Sequence, residues 1–205
     1  MRVKSPTPRT RHWLSAIAVP VAVLMAAGTV WMASYAAFSN DTRNSGNSWA
    51  AGQVTLTDDD NGSARFNVSN IVPMQTDTKC VAVTSNSSVA GLVKMYNLNS
   101  VTSGGGLENY IKVSVDIGTG GSFSDCSTFT KASTIVATQS LATMNTAYTG
   151  YGNGAGSWAT SGSPGESKTY RFTWTFDTTG LTQAQIDALQ GSHTGVDFEW
   201  EIQNT

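Results

Sequence analysis

Aromatic and polar side chains alternate without a break from Tyr170 to Phe176: Tyr170, Phe172, Trp174 and Phe176 hold every second position, with Arg171, Thr173 and Thr175 between them. Successive side chains of a strand point to opposite faces, so this run predicts a strand with four aromatics on one buried face. The last segment repeats the pattern, with Val196, Phe198, Trp200 and Ile202 set against Asp197, Glu199, Glu201 and Gln203. So does the run in which Ile111, Val113, Val115 and Ile117 are separated by Lys112, Ser114 and Asp116. Shorter candidates lie at residues 54–56, 65–68, 79–84, 91–97 and 133–138. About eight strands divided by Gly, Ser, Asn and Asp turns predict an all-β, antiparallel sandwich. Each sheet then has one dry face and one wet face.

One short helix interrupts the pattern before the last strand. Thr182 is placed to cap it, with Gln185 three residues on as the capping-box partner, Ile186 and Leu189 on the buried side, and Gly191 at its end. Residues 147–167 carry no period and are rich in Gly and Ser, with Tyr148, Tyr151 and Trp158 isolated among them. They predict a long flexible loop.

Ahead of this body, Arg2, Lys4, Arg9 and Arg11 lead into an uncharged stretch from Trp13 to Asn40. Near its end Ser34-Tyr35-Ala36 offers small residues at the minus-three and minus-one positions of a signal-peptidase site. Residues 1–36 therefore read as a secretory signal peptide, cut between Ala36 and Ala37. The alternative is retention as an anchor, since the stretch reaches the roughly 20 residues a bilayer requires. In both cases residues 37–205 form a single extracellular domain, and contact with the membrane runs only through the uncleaved segment.

Composition narrows the partners. Without its first 36 residues the chain keeps eight Lys and Arg against fourteen Asp and Glu, a net charge of −6. No basic stretch tracks a phosphate backbone, so nucleic acid is not an expected partner. The two cysteines, Cys80 and Cys126, are expected to pair in an oxidising compartment. In the chain-entropy model such a bridge stabilises the fold by about 4 kcal/mol. A metal or catalytic role for them finds no His or further Cys at ligand spacing.

Two stretches carry a family likeness. Ala36-Ala37-Phe38-Ser39-Asn40-Asp41 is followed by Gly52-Gln53-Val54-Thr55-Leu56-Thr57-Asp58, and Asn67-Val68-Ser69-Asn70-Ile71-Val72-Pro73 leads into Lys79-Cys80-Val81-Ala82-Val83. Together they resemble the TasA and camelysin (CalY) family, and the leader is similar to those processed by the SipW type of signal peptidase. The likeness covers residues 20–97 best. It implies a jelly-roll-like sandwich secreted by a Gram-positive bacterium, and a structural protein of the cell surface or of fibres in a biofilm matrix. Through camelysin it also carries a metallo-endopeptidase label. The chain departs from the family pattern in its two cysteines and its Gly-rich late loop.

Self-assembly follows as an expectation. Cleavage would free a segment, residues 37–56, in which Phe38, Trp49, Val54 and Leu56 are the apolar anchors, able to add as a strand to a neighbour's sheet edge. The alternative is that this segment folds back as the first strand of its own sandwich. A second class of function is a surface binding module gripping glycan through Tyr151 and Trp158.

The residues for catalysis are sparse. A zinc protease would have to build its site on His193, because His12 lies in the leader and no His-Glu-x-x-His pattern occurs. No Gly-x-Ser-x-Gly elbow is present for acyl transfer. Glu199 and Glu201 share one face of a strand, about 6–7 Å apart by strand rise, but with Asp197 they read as a solvated acidic stripe. The expectation is therefore a non-enzymatic protein without a cofactor. Asp58, Asp59 and Asp60 before Asn61-Gly62 are the calcium candidates, as clustered oxygen ligands at a turn; a charged hairpin turn explains them equally. Asn61, Asn67 and Asn86 match the glycosylation pattern and read as turn residues.

Overall fold

The alternating runs form strands in a computed structural model that describes residues 39–40, 53–60 and 70–205. The leader, the cleavage site at Ala36 and Ala37, Phe38, Trp49, and the expected strand over residues 65–68 lie outside the described residues. Nine strands are described: β1 (Ser39–Asn40), β2 (Leu56–Asp58), β3 (Thr76–Ser85), β4 (Gly91–Val101), β5 (Ile111–Thr119), β6 (Thr130–Ser140), β7 (Ala155–Thr160), β8 (Glu166–Phe176) and β9 (Gly195–Asn204). They make one sheet in the order β1-β9-β4-β7 and a second in the order β2-β3-β8-β5-β6, with every pair antiparallel. Without the small edge strand β2, the orders 1-9-4-7 and 3-8-5-6 are those of a jelly roll, two four-stranded sheets face to face.

The aromatic run becomes β8 in the middle of the larger sheet, and its four aromatics are buried as the alternation requires. Two of them, Tyr170 and Phe172, pack on β9 across the sandwich. The Phe172 and Phe198 rings are 4.5 Å apart, and Tyr170 meets Trp200 edge-on at 5.4 Å. Each such pair adds about 0.5–1.5 kcal/mol beyond its buried area. β5 contributes Ile111, Val113, Val115 and Ile117 to the same layer, while Val93 and Met95 of β4 complete the other side.

Two α-helices sit in the connections. α1 (Leu141–Ala147) follows β6, and Ser140 caps it by accepting a hydrogen bond from the Thr143 N–H at 3.1 Å. It buries Leu141 and Met144, three apart and so on one face. This helix is an addition to what the sequence predicts. α2 (Gln183–Asp187) is the expected one. Its capping box is complete: Thr182 Oγ1 accepts from Gln185 N, and Gln185 Oε1 accepts from Thr182 N at 2.8 Å. Leu189 just beyond it is buried, and Gly191 takes a positive φ of 73°.

The expected loop over residues 147–167 is corrected. β7 occupies its middle and pairs with β4, burying Ala155, Trp158 and Thr160. Spacings of three and then two hide the strand period, and the cause is a register shift opposite Val93 and Met95. Gly156 makes the irregularity possible. Its φ is +65°, and a Cβ there would lie 2.7 Å from the Ile135 side chain.

Candidate functional site

The flank where β2 and β9 face each other gathers most of the residues singled out by sequence. Val54 and Leu56 point inward and are buried, so the structure puts these two assembly candidates in the chain's own core. β2 lies on the edge of its own sheet in register with β3: Leu56 opposite Ser85, Thr57 opposite Thr84, Asp58 opposite Val83. The chain before it is tied to the β3–β4 turn. Gln53 N and Thr55 N donate to the Ser88 and Ser87 hydroxyls at 2.9 and 3.0 Å, and the Ser88 and Asn86 amides donate back to the Gln53 and Thr55 carbonyls. On the opposite sheet, β1 pairs with β9 through Ser39 and Asn40.

Between the sheets, an apolar cleft of about 1490 Å³ is lined among the described residues by Val113, Trp174, Phe176, Phe198 and Trp200. Asp58, Asp60 and Asn70 also line it. Trp174 is only 6 % exposed, yet its indole N–H finds no acceptor among the described residues, and neither does that of Trp200. Buried donors of this kind carry a desolvation cost until an acceptor arrives.

The three aspartates behave differently from one another. Asp59 is a structural acceptor, its Oδ1 taking the Ala82 N–H at 2.8 Å and its Oδ2 the Phe123 N–H at 2.6 Å. Withdrawal from water, the hydrogen bond to Asp60 and the neighbouring negative charges push the Asp58 carboxyl up to about 6. Among the described residues no group of three His, Cys, Asp or Glu is arranged to hold a metal ion.

Cys80 and Cys126 form the expected disulfide, with Cα atoms 5.5 Å apart and a sequence separation of 46. Glu201 accepts from the Tyr96 hydroxyl at 3.0 Å, and Asp197 from the Asn99 amide at 2.8 Å. His193 is exposed in the turn between α2 and β9.

The glycan candidates are separated by the fold. Trp158 is 7 % exposed in the core, which corrects its assignment as a stacking platform. Tyr151 is half-buried, donates its hydroxyl to the Leu92 carbonyl at 2.8 Å, and lies under the Lys94 ammonium. The tie that sequence reasoning missed is Asp59 to Phe123, 64 residues apart, for which no local signal exists.

Strand order and disulfide together define a disulfide-bonded jelly-roll sandwich. The chain matches no family model and no curated protein.

Proposed function

We propose that the chain is a secreted structural protein of the cell surface or of a biofilm matrix, and that it assembles by strand addition. The observation that carries this is the mismatch at the open flank. Among the described residues, β9 has ten residues and β1 pairs with two of them; β3 also has ten and β2 pairs with three. Long strands with sparsely paired edges accept strands from other chains. An extended segment entering the cleft would bring main-chain carbonyls toward the unsatisfied indole N–H groups and apolar side chains to the lining. Addition from one copy to the next is head-to-tail, does not close, and so builds filaments.

In this reading a SipW-type peptidase, cutting between Ala36 and Ala37, releases the segment beginning at Ala37 and so controls assembly. The TasA and camelysin likeness supports the same class, and a disulfide-bonded β-sandwich is compatible with an extracellular setting. No bond-making chemistry and no cofactor enter the proposal.

The test is electron microscopy and sedimentation of the chain beginning at Ala37, compared with one lacking residues 37–50. Filaments from the first and dispersed monomer from the second are expected. Monomer from both, at high concentration, would falsify the proposal.

A further inference from the structure

Cys80 projects from the outer face of its sheet, alternate to the core residues Val81 and Val83, yet it is 0 % exposed. Residues 120–129, the connection from β5 to β6, cover it. In the sheet order β8 lies between β5 and β3, so this connection crosses the outside of β8 to bring Cys126 to Cys80. It passes Arg171, whose guanidinium lies 4.6 Å from the Phe129 ring. Ser122 and Asp125 exchange main-chain hydrogen bonds at 2.7 and 3.2 Å, and Gly121 N donates to Thr128 Oγ1 at 2.8 Å. The connection is therefore a folded strap.

The strap also reaches the sheet edge. Phe123 N donates to Asp59, which directly follows β2, and the other oxygen of the same carboxylate accepts from Ala82 of β3. One side chain thus fastens the end of β2 both to its neighbour strand and to a strap that the disulfide holds in place. We infer that the Cys80–Cys126 disulfide and Asp59 form a redox-sensitive latch that keeps β2 on the edge of its sheet.

A dithiol reductant would open it. Two electrons and two protons pass to the cystine, the S–S bond breaks, Cys80 and Cys126 become thiols, and the dithiol leaves as its cyclic disulfide. The strap then loses its covalent tie to β3, and Phe123 is no longer held against Asp59. With only three registered pairs, β2 belongs to the least stable part of the sheet and opens first. Opening uncovers Val54, Leu56 and the edge of β3. The consequence for assembly rests on the strand-addition reading; the latch does not.

Residue-resolved amide hydrogen exchange tests the latch on the folded, oxidised chain before and after dithiothreitol. Exchange at Ala82, Asn86, Ser88 and Phe123 is expected to accelerate about tenfold or more, as for a local opening, while Val113 and Phe172 in the β5–β8 centre stay unchanged. Asp59→Ala with the disulfide intact is expected to accelerate Ala82 and Phe123 in the same way, so the test does not depend on a cysteine variant folding. Uniform acceleration that includes Val113 and Phe172, or no acceleration at Ala82 and Asn86, overturns the inference. Microscopy of the reduced protein is scored separately: accelerated exchange without any gain in filaments removes the assembly consequence and leaves the latch standing.

Discussion

The two flanks of this sandwich are closed by different means. Where β6 and β7 meet, the edge is sealed by contact: Gly156 fits against Ile135 with no room for a Cβ, and α1 adds Leu141 and Met144 to the core. Where β2 and β9 meet, short edge strands lie beside long neighbours among the described residues, and a disulfide, a strap, one carboxylate and the hydrogen bonds of Gln53 and Thr55 to the β3–β4 turn add to the burial of Val54 and Leu56. Packing of the first kind is released only when the domain unfolds. Polar and covalent ties of the second kind can be undone one at a time while the centre stays intact. A surface meant for exchange between copies belongs on the second flank.

The largest expected effect tests whether the centre and the open flank are energetically distinct. Phe172→Ala, at a fully buried position facing Phe198 and Trp200, is expected to lower unfolding stability by about 3–5 kcal/mol in urea titrations. Leu56→Ala is buried to a similar degree but sits on the loosely held edge. It is expected to cost under about 2 kcal/mol globally and to appear mainly as faster amide exchange around β2. Equal global losses would erase the distinction.

The closed flank is probed next. Gly156→Ala meets both a positive φ and the Ile135 side chain, and is expected to cost about 2–3 kcal/mol. Gly180→Ala has φ +82° and open space, so it carries the backbone term alone, about 1 kcal/mol. Equal costs for the two would show that contact with Ile135 does not seal this flank.

The centre was also the part most legible from the chain. β5, β8 and β9 each present one face to the core over many residues, and that constraint writes a period of two into the sequence. β7 escaped because its bulge and Gly156 break the period within six residues. α1 escaped because its seven residues hold only Leu141 and Met144 as buried anchors, and its Thr content does not favour a helix. Tertiary burial and the Ser140 cap form it instead. At the site, two cysteines left one intramolecular pairing to read. The structural role of Asp59 has no local signal, because its partners, Ala82 and Phe123, are brought to it only by the folded sheet and the strap. Trp158 looked exposed for the reason that hid β7.

Charge separates the centre from the flank once more, with opposite sign. Burial pushes the Asp116 carboxyl up, but hydrogen bonds from Lys131, Arg171 and Thr134 outweigh it and hold the group below the usual carboxylate range. A depressed carboxyl contributes stability above its unfolded value, and that contribution is lost as pH falls through the folded value. Asp116→Asn is therefore expected to cost about 1–2 kcal/mol at neutral pH and progressively less in strong acid. Urea midpoints measured from pH 7 down to pH 3 check this, and a cost that grows on acidification would contradict it.

Asp58 should show the reverse, as the smallest effect. Its folded value, raised to about 6 from 3.8, means that the folded chain takes up a proton there more readily than the unfolded chain. The associated stability is fully present below about 3.8 and disappears as pH rises through about 6. At neutral pH the ionised carboxylate strains against Asp59 and Asp60 at the end of β2, so Asp58→Asn should stabilise. Because the side chain is only partly withdrawn from water, solvent screening limits the gain to about 0.5 kcal/mol or less. The clearer readout is the pH dependence of exchange at Ala82: it should slow as wild type is acidified from pH 7 to 5, after correction for intrinsic rates, and stay flat in the variant. A wild-type profile as flat as the variant's would mean that the open flank is held without regard to this charge, leaving the strap and the Asp59 hydrogen bonds to account for its pairing.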